Sequence, residues 1–315
     1  MKVKKLIFAL PALALVALIG FGIYNLYDYC KNKPDFNVSD TLPDGGGKSA
    51  KVILIAGQSN AAGCSLDQYL KKSVSDEQYE EYEKGYDNVY INYFSSGSNE
   101  SKGFVKCSAN QGQLIGFFGP ELGLSERLNE EYPDETFFII KCAWNGTTLY
   151  RQWLSPSAGK SGLLYRHFIK YVNASLEYLK SKNYDIEIEG ICWMQGESDS
   201  MSIDEAIDYE RNLGCFISDL RNEFSSYASS DGIAFIDAYI SDSEAWTYYT
   251  ELNNSKKAVA DMSEMNVVID TISHGLSVSN EPEGEPDIYH YDALSEIKLG
   301  HLFADEVIKF FDQAD

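Results

Sequence analysis

KVILIAGQSNAAG, residues 51–63, decides how the rest of the chain is read. The aliphatic run from Val52 to Ala56 has the length and composition of a buried strand, and it ends abruptly at Gly57, Gln58, Ser59 and Asn60. A strand that stops in this way delivers a serine onto a tight turn at a sheet edge. Ser59 is therefore the candidate nucleophile. Glycine and serine also punctuate ordinary strand-to-helix loops, where the serine serves as an N-cap, so the turn alone does not separate chemistry from capping.

Downstream, the strand-like runs Val89 to Tyr93, Thr136 to Lys141, Ile186 to Met194 and Ile233 to Ile236 alternate with helix-like stretches. That alternation argues for a parallel sheet flanked by helices. Ser202 and Glu205 have capping-box spacing, and Ile203, Ala206, Ile207, Leu213, Phe216, Ile217 and Leu220 recur near the helical period behind them. Leu294, Ile297, Ala304, Val307 and Ile308 give a last helix its apolar face. No internal repeat or second linker interrupts residues 51–315, which read as one α/β domain.

The amino-terminal residues have a different character. Lys2, Lys4 and Lys5 precede an uncharged apolar stretch from Leu6 to about Tyr24, long enough to span a bilayer. Residues 1–30 are expected to be a membrane anchor or signal segment; the stretch runs on past the length of a cleavable core, which favours an uncleaved anchor. The lysines would stay cytoplasmic, leaving the catalytic domain extracytoplasmic, or secreted if the segment is cut. Residues 31–50, rich in Pro, Gly, Asp and Ser, read as a flexible linker. Its GGGKS is no phosphate loop, because Leu42 replaces the first required glycine and the segment precedes a strand.

A formal charge of −22 excludes a nucleic-acid partner, which needs a basic face to displace counterions. The six cysteines form no CxxC pair and no metal cage is visible, so neither metal nor organic cofactor is expected. A Cys64–Cys107 disulfide is conceivable on this pattern. No obligate protein partner is evident.

A serine hydroxyl needs a base within hydrogen-bond reach and donors for the oxyanion. Among the four histidines, His167 and His301 fall in helical patterns and His274 in a Ser-His-Gly turn. His290, in DIYH, has Asp287 three residues upstream, a spacing that lets a short turn aim a carboxylate at one imidazole nitrogen. Two segments after strands fit the donors: Trp144, Asn145, Gly146 and Thr147, where a glycine lets backbone N–H groups approach a ligand, and Trp193 to Ser198, where Gln195 could offer an amide.

GQSN at 57–60, FGPELGLSERL at 118–128, WNGTTL at 144–149, WMQGESD at 193–199 and DIYH followed by LG at 299–300 resemble, in order, the blocks of SGNH-type hydrolases. Within that superfamily they are most similar to the sialate O-acetylesterase-like group and carbohydrate esterase family six. The resemblance implies a three-layer α/β/α sandwich around a mainly parallel sheet of about five strands. It implies Ser59 as nucleophile, His290 as base and Asp287 as the orienting carboxylate, with Glu197 as the rival for that last role. The oxyanion would be held by the N–H groups of Ser59 and Gly146 and by the side chain of Gln195, which stands where the superfamily usually has asparagine. Asn60, Trp144 and Asn145 are candidate substrate contacts. The expected activity is removal of acetyl groups from sialic acid or polysaccharide esters through an acyl-enzyme. A lipase or thioesterase on the same fold, and a silent glycan-binding surface module, are the alternatives.

Overall fold

Every residue from Val52 to Ala56 is fully buried in strand β1 (Ser49–Gly57), because helices cover both faces of the sheet to which it belongs. The computed structural model describes residues 33–95, 99–229, 231–278 and 280–311. The other parallel strands are β2 (Val89–Ser95), β3 (Phe137–Ala143), β4 (Asp185–Met194), β5 (Ala234–Ala238) and β6 (Asn266–Ile269). They lie in the order β6-β5-β4-β1-β3-β2, each parallel to its neighbour, and two short antiparallel pieces, Asn99–Glu100 and Val105–Lys106, finish the β2 edge.

The register is what positions the site. Gly57 lies level with Ala143 of β3 and Met194 of β4, so three strands end side by side and release their loops at one edge. The strand order reverses direction around β1, and such a switch point leaves a crevice beyond the strand ends.

The helices are α1 (Ser59–Ala62), α2 (Asp67–Ser73), α3 (Asp76–Lys84), α4 (Glu121–Glu131), α5 (Leu163–Ser181), α6 (Ile203–Glu223), α7 (Tyr249–Ala260) and α8 (Ala293–Phe311). Strand side chains alternate between the faces and sort the long helices into two layers. Phe137 stacks on Phe311 of α8 at 6.0 Å, and Lys141, four residues on and thus on the same face, meets Glu121 of α4. On the opposite face Asn92, level with Ile140, bonds Ser175 of α5. Trp193 packs on Phe216 of α6 at 4.7 Å.

Lys141 and Glu121 are both fully buried and 2.6 Å apart; Glu121 also accepts from the Gly119 N–H, and Lys141 donates to the Gln111 carbonyl. Such a pair is tolerable in the interior only because each charge has further partners. Helices α4 and α8 touch backbone to backbone: a Cβ at Gly123 would lie 2.1 Å from the Ile297 oxygen, and one at Gly300 would lie 2.2 Å from the Pro120 oxygen.

Several expectations are corrected here. The sheet has six parallel strands, the added one being β6, whose four residues are mostly half-buried. Ser202 begins α6 without a side-chain capping bond, and Glu205 pairs with Arg151 instead. Ile207 and Leu294 face solvent. Residues 31–50 are not a free linker throughout: from Asp35 the chain belongs to the compact unit, with Leu42 buried, the N–H groups of Thr41 and Leu42 donating to the Tyr178 hydroxyl, and Asp40 paired with Lys182. Cys64 and Cys107 are free thiols. No described helix is long and apolar enough to cross a membrane, and the segment expected to do so, residues 1–30, lies outside the described residues.

Two glycines give opposite predictions. Gly300→Ala forces α4 and α8 apart and should cost about 1–3 kcal/mol, as overpacking does. Gly214→Ala, within α6 and with nothing within 4 Å of its added methyl, should stabilise by about 0.5–1 kcal/mol. Thermal unfolding of both variants checks the pair.

Candidate active site

Gly57 bends the chain out of β1 at φ +143°, where a Cβ would lie 1.9 Å from the Met194 carbonyl oxygen. That carbonyl accepts the Gln58 N–H at 2.9 Å, so the turn is fastened to the end of β4 by backbone alone. Ser59 follows as the first residue of α1, its neighbours Gln58 and Asn60 almost fully buried. Their side chains are braces. Gln58 Oε1 accepts from Gln195 Nε2 at 3.2 Å and from the Ser198 N–H at 3.3 Å. Asn60 donates to Glu197 Oε1 at 2.8 Å and accepts the Tyr291 N–H at 3.1 Å.

The Asn60–Tyr291 bond brings the DIYH segment to the serine turn, helped by Ser65, whose hydroxyl donates to the Tyr291 carbonyl at 2.7 Å. Within DIYH, Asp287 Oδ1 accepts the Tyr289 N–H at 2.8 Å, an Asx-type turn, and leaves Oδ2 at 2.6 Å from His290 Nδ1. Asp287 therefore meets the imidazole directly, whereas Glu197 is held by Asn60. Cys64 lines the same cleft as the imidazole, and no hydrogen bond joins Ser59 to His290 among the described residues. Asp292 caps the following helix, accepting the Ser295 N–H at 2.9 Å.

The 144–150 loop supplies Gly146, exposed and at φ +62°. Asp199 holds this loop in place: fully buried, it accepts the N–H groups of Leu149 and Tyr150, each at 3.0 Å. Burial pushes the Asp199 carboxyl up to about 7 against the pull of those bonds. Gln195 belongs to this support as well. Its amide nitrogen donates to Asp199 at 2.6 Å and to the Thr147 carbonyl at 2.8 Å, and its oxygen accepts from Tyr209. The expectation that Gln195 donates to the oxyanion is corrected, since its side chain has no exposure and its protons are committed.

Two expected substrate contacts are also corrected. Trp144 is buried among Phe94 and Trp153, and Asn60 is a brace inside the protein. Asn145 is half-buried and donates to Gln113, which lines a cleft of about 320 Å³ shared with Cys64, Asp287 and His290. His301 lies 2.7 Å from Glu126, and the His274 carbonyl accepts from Lys298. Among the described residues no group of three or more His, Cys, Asp or Glu side chains is arranged to hold a metal ion.

The family model described as "Carbohydrate esterase, sialic acid-specific acetylesterase" matches residues 49–309, all of the sheet and every segment just described. The chain belongs to that family. It is a carboxylic ester hydrolase, a carbohydrate O-acetylesterase of SGNH type. No curated protein matches it. Among solved structures, a protein from Arabidopsis thaliana is similar at 17% identity and TM-score 0.61, covering 85% of this chain and 99% of its own. NanS is similar at 15% identity and TM-score 0.59, covering 87% of this chain and 99% of its own. At those identities the likeness speaks for the fold.

Sequence reasoning missed two features of this acetylesterase. Nothing in the WMQGESD pattern marks Asp199 as the residue that holds the 144–150 loop, although a buried aspartate beside a glycine-bearing loop is a natural N–H acceptor. Tyr289, half-exposed, sits beside His290 with its ring 5.5 Å from that of Trp246, whereas Trp144, the aromatic residue expected to meet the substrate, is core.

Burial works against a charged His290, but the bond to Asp287 and the influence of the neighbouring Cys64 outweigh it and raise the pKa to about 10. An imidazolium has no lone pair for a serine proton. Turnover should therefore climb with pH up to about 10. Asp287→Asn removes a raising influence, so the limb of the pH–rate profile should move to lower pH while kcat falls by about 10³-fold or more.

Proposed function

We propose that Ser59, His290 and Asp287 form the catalytic triad of this carbohydrate O-acetylesterase. The observation that carries the reading is the Asn60–Tyr291 bond, which ties the residue after the serine to the residue after the histidine while Asp287 holds the imidazole at 2.6 Å. When the ester enters, the neutral imidazole takes the Ser59 proton as the serine oxygen attacks the acetyl carbonyl. Asp287 keeps the Nδ1 proton in place and stabilises the imidazolium. The oxyanion is received by the backbone N–H groups of Ser59, at the start of α1, and of Gly146. His290 then returns the proton to the departing sugar oxygen, and water cleaves the acyl-enzyme by the same route.

Tyr289 and Trp246 form the aromatic surface beside the base, suited to the apolar face of a pyranose ring. Residues 1–30 anchor the domain outside the cytoplasm; Lys2, Lys4, Lys5 and the apolar stretch from Leu6 support this. Retention in membranes after alkaline carbonate extraction is the expected behaviour of the full chain, and release into the supernatant would overturn it.

Ser59→Ala should lower hydrolysis of p-nitrophenyl acetate by about 10⁴-fold or more with the thermal midpoint unchanged. Full activity in that variant would overturn the mechanism. Tyr289→Ala should raise KM for an acetylated oligosaccharide severalfold and leave KM for p-nitrophenyl acetate alone.

A further inference from the structure

The walls of the cleft that holds His290 are acidic. Glu281, Asp287 and Asp292 line it together with Cys64 and Gln113, and no lysine or arginine does so among the described residues. Its one other titratable cation, the His290 imidazolium, is already paired with Asp287. Lys72, 5.4 Å from the ring centre of the wall residue Tyr69, is exposed to solvent, where its field is screened. Neither wall carboxylate is neutralised by a cation: Glu281 accepts the Ala293 N–H at 3.0 Å, and Asp292 is bonded by Asn280 Nδ2 and the Ser295 N–H. Burial and the charge of Asp292 already hold the Glu281 carboxyl above its ordinary range despite the Ala293 bond. A second cleft, lined in part by Ile288 of the DIYH segment, repeats the pattern with Asp242 and Glu244 and no lysine or arginine among the described residues. A net charge of −22 adds a repulsive field at long range.

A sugar acid brings a permanent carboxylate that needs a guanidinium, an ammonium or a row of N–H donors. Brought among unpaired carboxylates it loses hydration and gains repulsion. An uncharged sugar meets the same oxygens as hydrogen-bond acceptors for its hydroxyls. We propose that this acetylesterase acts on O-acetyl esters of uncharged sugars and discriminates against acetylated sugar acids, although its family is described as sialic acid-specific. The proposal rests on the esterase reading above and goes beyond it in naming the charge of the substrate.

The experiment compares three substrates with the purified enzyme: an O-acetylated xylo-oligosaccharide, an O-acetylated sialic acid, and the methyl ester of that same sialic acid. The methyl ester differs from the free acid in charge alone among the features the wall would sense. Expected is a kcat/KM at least about tenfold higher for the methyl ester than for the free acid, the equivalent of ~1.4 kcal/mol. The gap should narrow at high salt and in Glu281→Gln, which keeps an acceptor for the Ala293 N–H while removing a charge. Equal or faster hydrolysis of the free acid, with p-nitrophenyl acetate turned over normally, would overturn the proposal and leave the esterase reading standing. Loss of all turnover, p-nitrophenyl acetate included, would overturn both.

Discussion

The structure depends on one constraint: β1 must pass between β3 and β4 with Gly57 level with Ala143 and Met194. Parallel pairing fixes that register through a ladder in which a slip of one residue would send every side chain to the wrong face. Once it is fixed, the serine turn, the glycine loop and the WMQGESD segment leave the sheet at one height. The Gln58 N–H then finds the Met194 carbonyl, and the missing Cβ of Gly57 is what lets that carbonyl so close.

Beneath this edge lies a layer of polar groups that do no chemistry themselves. Gln58, Gln195, Asp199 and Tyr209 satisfy one another, and through Asp199 they fix the loop that carries Gly146. Such networks are costly unless complete, and a complete one holds a loop in a single position. The long glutamine at 195, in place of the superfamily's asparagine, fits this supporting role: its amide reaches across to Thr147 and Asp199 instead of into the cleft.

Much of this was legible in the sequence because the strands announce themselves. Val52 to Ala56 and Ile186 to Met194 are continuous apolar runs, and buried parallel strands have that signature. The Asp287–His290 pairing was legible too, since three residues of turn leave few ways to arrange the two side chains. β6 was not, because Asn266–Ile269 is short and half-covered, with no run long enough to stand out. Roles that depend on which way a side chain turns were also hidden. Trp144 and Tyr289 both lie beside proposed catalytic segments, yet only the packing around Phe94 and Trp153 shows that the first is core. Gln195 and Asn60 looked like groups for the substrate, and only their buried partners make them braces.

The bond between Asn60 and Tyr291 spans 231 positions of the chain. On a ribosome the serine turn is therefore made long before the residues that would activate it, and the sheet around β1 can assemble while the hydrolase is still chemically inert. Parallel sheets close such distant contacts slowly, which lengthens that interval. The residues proposed to activate Ser59 are among the last to be made, so a chain stopped before Asp287 carries the serine turn without its base.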